Sequence, residues 1–150
     1  MNAQKFWIGW LKVIALVVSV GGVLFAFHEQ LKFLGFLDSW IDNVFYNGNA
    51  PASQVQSMRS WMIAVLGAVM ASWGLFLYFL VRYPLSRKEE WAWYGIFISC
   101  LVWYVIDTGF SARFGAWFNV ILNSILFLQF LAPLLFLRRN FRVKKPELIS

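Results

Sequence analysis

The sequence predicts an all-α, polytopic membrane protein: four transmembrane helices, an amphipathic helix in the outer loop, and both termini in the cytoplasm. Three observations carry this. Hydrophobic residues make up 61% of the 150 residues and charged ones 13%, whereas a soluble domain has about a quarter charged. The mean hydropathy is +0.65, which excludes intrinsic disorder, since disorder needs low hydrophobicity. Four apolar stretches approach or reach the roughly 20 helical residues that cross a bilayer, and the basic residues fall unevenly between the two sides they define.

The four spans cover residues 7–27, 61–81, 91–106 and 117–137, and all of 1–150 reads as one domain. Backbone polar groups cannot stay unpaired in lipid, so each span is helical, and no alternation supports a barrel. Lys12 interrupts the first span about one turn inside it, where a lysine can snorkel to the nearer surface. A cleavable leader with Lys5 and Lys12 as its basic region is the competing reading. The sequence Phe25-Ala26-Phe27-His28 lacks the small-x-small cleavage pattern, so an uncleaved first helix is favoured.

Orientation follows from the thirteen Lys and Arg residues. Lys5, Lys12, Arg82, Arg87, Lys88, Arg138, Arg139, Arg142, Lys144 and Lys145 fall on one side, against Lys32, Arg59 and Arg113 on the other. The positive-inside rule places the first group in the cytoplasm. The location expected is the inner membrane of a bacterium. The basic tail suits anionic lipid headgroups better than nucleic acid. Trp7, Trp10, Trp91 and Trp93 are expected at the cytoplasmic interface, Trp61, Trp103 and Trp117 at the outer one, and Trp73 near mid-membrane.

The long loop, residues 28–59, carries Leu34, Leu37, Ile41, Val44 and Phe45 at helical spacing. That stripe fits a helix lying on the outer leaflet or packed over the bundle mouth. Asn47-Gly48-Asn49-Ala50-Pro51 then breaks the helix, and Ser53 to Gln56 has the spacing of a capping box opening the second span. Within that span Gly67 and Ala71, and Ala64 and Ala68, form small-xxx-small pairs that let a neighbour approach closely. Gly21 and Gly22 of the first span are the natural partners.

An ionisable residue inside a span is a functional candidate because burying it is costly. Asp107 is the one serious case. Ser99, Trp103, Asp107 and Ser111 share one helix face at four-residue spacing, and Asn119 and Asn123 are four apart in the fourth span. With His28, Glu29 and Arg59 at the same side of the membrane, these residues outline a polar pocket in the outer leaflet. In it Asp107 would accept a proton, while Asn119 and Asn123 would orient a ligand. The competing reading is structural, with Asp107 paired to Arg59 or Arg113 and the asparagines bonded between helices.

His28 lacks the partners a metal or haem site needs and reads as interfacial, Cys100 reads as a packing residue, and Pro133 is expected to kink the fourth helix. One Cys and one His exclude ordinary zinc clusters. No metal or other cofactor is expected, and no catalytic constellation is visible.

Three segments taken together, Arg87-Lys88-Glu89-Glu90-Trp91-Ala92-Trp93, Trp103 through Asp107-Thr108 to Ser111, and Asn119 with Asn123, resemble small four-helix integral membrane proteins of bacteria. The resemblance covers about residues 59–137. That group has no assigned activity, so it implies a fold and transfers no catalytic residue. The function expected is non-enzymatic: an interaction protein, a small subunit of a membrane assembly, with membrane lipids and a membrane protein or a second copy as partners. The alternative is a small-ligand binder or transporter using the pocket around Asp107, and an enzyme acting on a lipid-soluble substrate comes third.

Overall fold

The computed structural model describes residues 3–141; Arg142, Lys144 and Lys145 of the basic tail lie outside them. Five α-helices follow one another: α1 (Ala3–Ala26), α2 (Gly35–Phe45), α3 (Ser53–Arg82), α4 (Glu90–Arg113) and α5 (Trp117–Phe141). Short 3-10 turns, Lys32–Leu34 and Leu85–Arg87, precede α2 and α4. The described residues contain no strand. Four helices, all but α2, are long and apolar enough to cross a membrane.

The closest packing joins α1 to α3, through the small residues the sequence singled out. A Cβ built on Gly22 would run into the backbone N of Ala71 and lie 2.6 Å from the carbonyl oxygen of Gly67. One on Gly67 would lie 2.5 Å from the backbone of Ala26 and of Gly22, and one on Gly74 2.5 Å from Ser19 N. Backbone meets backbone along this seam, as small-residue faces allow in lipid. Ser19 Oγ adds a hydrogen bond to the carbonyl of Ala71, 3.0 Å long. Gly21 takes a lesser part and meets only the Met70 side chain.

Helices α4 and α5 form the second pair, α5 also packs on α1, and α3 reaches α4 through large rings. Trp73 lies 5.6 Å from the ring of Trp103 and 6.4 Å from that of Phe130. The apolar core is concentrated toward the α3–α4 turn, where Ile8, Leu11, Val81, Leu85, Ile96, Phe130, Leu134 and Leu137 are buried. Trp93, near the start of α4, belongs to this core. It is 2% exposed, its indole N–H donates to the carbonyl of Leu134 at 2.7 Å, and the Arg138 guanidinium stands 4.9 Å from its ring centre. A buried indole finds a partner for its one donor, and here a helix carbonyl supplies it.

Helix boundaries depart from the expected spans in two informative places. Helix α4 runs seven residues past the apolar span's expected end at 106 and carries Asp107 and Ser111 on one face with Trp103, as their spacing predicts. Its real stop is Gly115, at φ +74°. The N–H groups of Gly115 and Ala116 return to the carbonyls of Ala112 and Ser111 at 3.1 and 2.8 Å, the double bond of a Schellman ending. Helix α3 begins at Ser53, but no capping box forms. The N-cap is Ala52 without a side-chain bond, Ser53 is already helical, and Gln56 Nε2 donates instead to the carbonyl of Pro51 at 3.1 Å. The break before it is formed by Asn47 (φ +52°) and Gly48 (φ +80°), left-handed geometry that Asn and Gly tolerate best.

Candidate functional site

The residues expected to outline one pocket form two separate polar clusters at the end of the bundle that carries α2. The first is built on α4. Trp103, Asp107 and Ser111 occupy successive turns of one face, and the Schellman ending turns the chain so that Asn119, third residue of α5, faces them. Asp107 Oδ1 accepts from Asn119 Nδ2 at 2.8 Å and from Ser111 Oγ at 3.2 Å. Asp107 Oδ2 accepts from Trp103 Nε1 at 3.2 Å. Asn119 Nδ2 also donates to Ser111 Oγ at 2.8 Å. Three neutral donors therefore converge on one half-buried carboxylate of α4, which has about four acceptor places and meets the first turn of α5 through Asn119.

The second cluster ties α2 to α3. Arg59 Nη1 bonds Asp42 Oδ1 at 2.6 Å, and Arg59 Nη2 lies 3.1 Å from Asp38 Oδ1. Arg59 therefore pairs with Asp38 and Asp42, and among the described residues Asp107 has no ion pair with Arg59 or Arg113. The physical reason is reach: Asp38 and Asp42 are one turn apart on a single face of α2, and together they clamp the guanidinium. Their spacing was the available signal, since two carboxylates four apart on an amphipathic helix call for a cation nearby. Apolar contacts hold α2 over the same end: Leu37 is buried, Trp40 lies 5.1 Å from the ring of Phe118 and Phe45 6.3 Å from that of Phe114.

His28 is 4% exposed and so is buried against the bundle. Its Nδ1 donates to the carbonyl of Phe25 at 3.0 Å, a carbonyl being only an acceptor, and Nε2 has no partner. Glu29 is exposed on the turn beside it. Asn123 is buried and its Nδ2 is unpartnered, as is Thr108 Oγ1. Tyr104 and Ser124 join α4 to α5 at 3.2 Å. Among the described residues no three His, Cys, Asp or Glu side chains come together as a metal site.

Arg59→Ala is expected to leave two carboxylates facing each other without a cation and to release α2 from the bundle. Hydrogen bonds to charged groups contribute about 1.5–3 kcal/mol each where buried; with Arg59 15% and Asp38 36% exposed the loss here is about 2 kcal/mol. Limited proteolysis in the α2–α3 loop checks it, with faster cleavage in Arg59→Ala and partial protection restored by Arg59→Lys.

Fold and site together define the class: an all-helical protein whose four long helices are apolar enough to span a membrane, with two self-contained polar clusters at one end of the bundle. The chain matches no known protein family, no curated protein and no solved structure.

Proposed function

We propose that this chain is a non-enzymatic interaction protein of the bacterial inner membrane, a small subunit of a larger assembly, with both termini in the cytoplasm and α2 at the outer face. The observation that carries the reading is the distal half of α4. All four buried residues of α4, Ala92, Trp93, Ile96 and Cys100, lie in its first half. Beyond them Val102, Val105, Ile106 and Phe110 are exposed, and Gly109 has nothing within 4 Å of where a Cβ would stand. Val105, Ile106, Gly109, Phe110 and Arg113 line a shallow groove of about 250 Å³. A glycine notch between β-branched side chains suits a neighbouring membrane helix, because lipid-phase association depends on close backbone approach. Asp107 and Arg59 are engaged within the chain, Asp107 by three neutral donors and Arg59 by two carboxylates, while Arg113 at the edge of the groove has no ion pair among the described residues.

Native mass spectrometry of the protein extracted in mild detergent from its own membrane tests the reading. A second protein at fixed stoichiometry is the expected result, and a bare monomer contradicts it. The topology has its own test. Cysteines introduced at Gly48 and Ser86 should react with an impermeant maleimide from outside at position 48 only; the reverse pattern overturns the orientation.

A further inference from the structure

Toward the end of the bundle away from Asp107, α1 and α5 leave a groove of about 280 Å³ between them. Phe6, Trp7 and Trp10 wall it on α1, and Gln129, Ala132 and Pro133 on α5. Gln129 is the thirteenth of the 25 residues of α5, so about 18 Å of helix lies on either side of it at about 1.5 Å per residue. Its carboxamide is half-exposed and makes no hydrogen bond with any described residue. Pro133 has no N–H, so the Gln129 carbonyl also lacks its usual helical donor. An unpaired amide and an open carbonyl at mid-span are costly where no water is at hand, and they sit in a concavity whose other wall is aromatic.

We infer that this groove is a binding site for a neutral, lipid-soluble molecule with a planar ring bearing carbonyl or hydroxyl oxygen and an apolar tail, the chemistry of a prenylated quinone. The depth of Gln129 rules against a charged group at its end of the groove, because a charge near the bilayer centre is strongly disfavoured. The carboxamide both donates and accepts, which suits ring carbonyls and hydroxyls alike. The rings of Phe6 and Trp7, 5.0 Å apart, offer edge and face contacts to a flat ligand. The volume admits one substituted ring with the start of its tail. A protein helix is the poorer occupant, since only Ala132 among these residues is small enough for close helix approach. The site is independent of the partner face on α4, so either can fail alone.

The test is a titration of the full chain in lipid nanodiscs with decylubiquinone, read by quenching of tryptophan emission, which Trp7 and Trp10 bring into the groove. Saturable quenching is expected in the wild type. Gln129→Leu, which keeps the bulk and removes the hydrogen bonds, should weaken it about tenfold. Ala132→Phe, which fills the groove, should leave only the linear, non-saturating part, and 1-decanol, which has a tail and a hydroxyl but no ring, should not compete. Non-saturating quenching in the wild type, equal affinity in wild type and Gln129→Leu, or full competition by 1-decanol would each overturn the proposal. Unchanged thermal unfolding of Gln129→Leu keeps loss of binding distinct from loss of fold.

Discussion

Replacing Gly67 with leucine is expected to separate α1 from α3 and to leave the chain without its fold in mild detergent. Even alanine meets backbone at this position, 2.5 Å from the carbonyl oxygen of Gly22 and from the N of Ala26. Backbone cannot rotate out of the way as a side-chain tip can, so the two helices must move apart. Overpacking of this kind costs about 1–3 kcal/mol for the first carbon, and the seam also holds Gly22, Gly74 and the Ser19 hydrogen bond. Thermal unfolding in detergent should therefore rank the wild type above Gly67→Ala, with Gly67→Leu showing no cooperative transition. Gly95→Ala and Gly109→Ala provide the contrast. Nothing stands within 4 Å of either added carbon, and a change within about 0.5 kcal/mol is expected. Equal loss at all three alanine positions would mean that the close α1–α3 seam does not support the fold.

The second large effect is expected at Asp107. Truncation to alanine strands the Trp103 indole, the Ser111 hydroxyl and one interaction of the Asn119 amide. An abandoned buried donor costs about 1–3 kcal/mol, while measured hydrogen bonds between membrane helices average about 0.6 kcal/mol. Since only Asn119 crosses between helices here, the loss should be about 2 kcal/mol and not the sum of three full penalties. Asp107→Asn keeps one oxygen for Asn119 and Ser111 but turns its amide toward the Trp103 N–H, so about half of that loss is expected. In the interaction reading, Asp107→Asn leaves the assembly intact. Retained partner with lowered thermal stability is the expected result, and loss of a proton-dependent transport activity in this variant would favour the pocket reading in its place.

How far these features could be read in advance depends on whether a residue differs from its surroundings in charge or in size. Four helices long and apolar enough to span a membrane, and a helix in the long loop, were legible because apolar length and helical spacing are properties of the chain itself. The Gly67 and Ala71 face was legible because small residues stand out among leucines and phenylalanines, and Gly22 proved to be its partner. That α4 carries Asp107 and Ser111 was legible in their four-residue spacing with Trp103, although the apolar run ends at 106. A carboxylate that collects donors from its own helix can stay inside it, and Gly115, with its positive φ, was the better stop signal. That Trp93 turns into the core was not legible. In lipid both faces of α4 are apolar, so nothing in the pattern distinguished the ring that turns inward from Trp91, which turns outward. Gln129 went unnoticed for a related reason: one uncharged amide does not interrupt an apolar run, and only the groove between α1 and α5 makes it conspicuous. The pairing of Arg59 with Asp38 and Asp42 required knowing that α2 folds back over the start of α3.

The central claim is that the distal half of α4 carries the contact with a protein partner. Photo-crosslinking in living cells tests it most directly, with benzoylphenylalanine at Phe110 and, as control, at Val20 on α1, positions that are equally exposed at 57%. The account predicts one discrete protein adduct from position 110 and none from position 20. Lipid-sized adducts alone at position 110, or the same protein adduct from both positions, would contradict it.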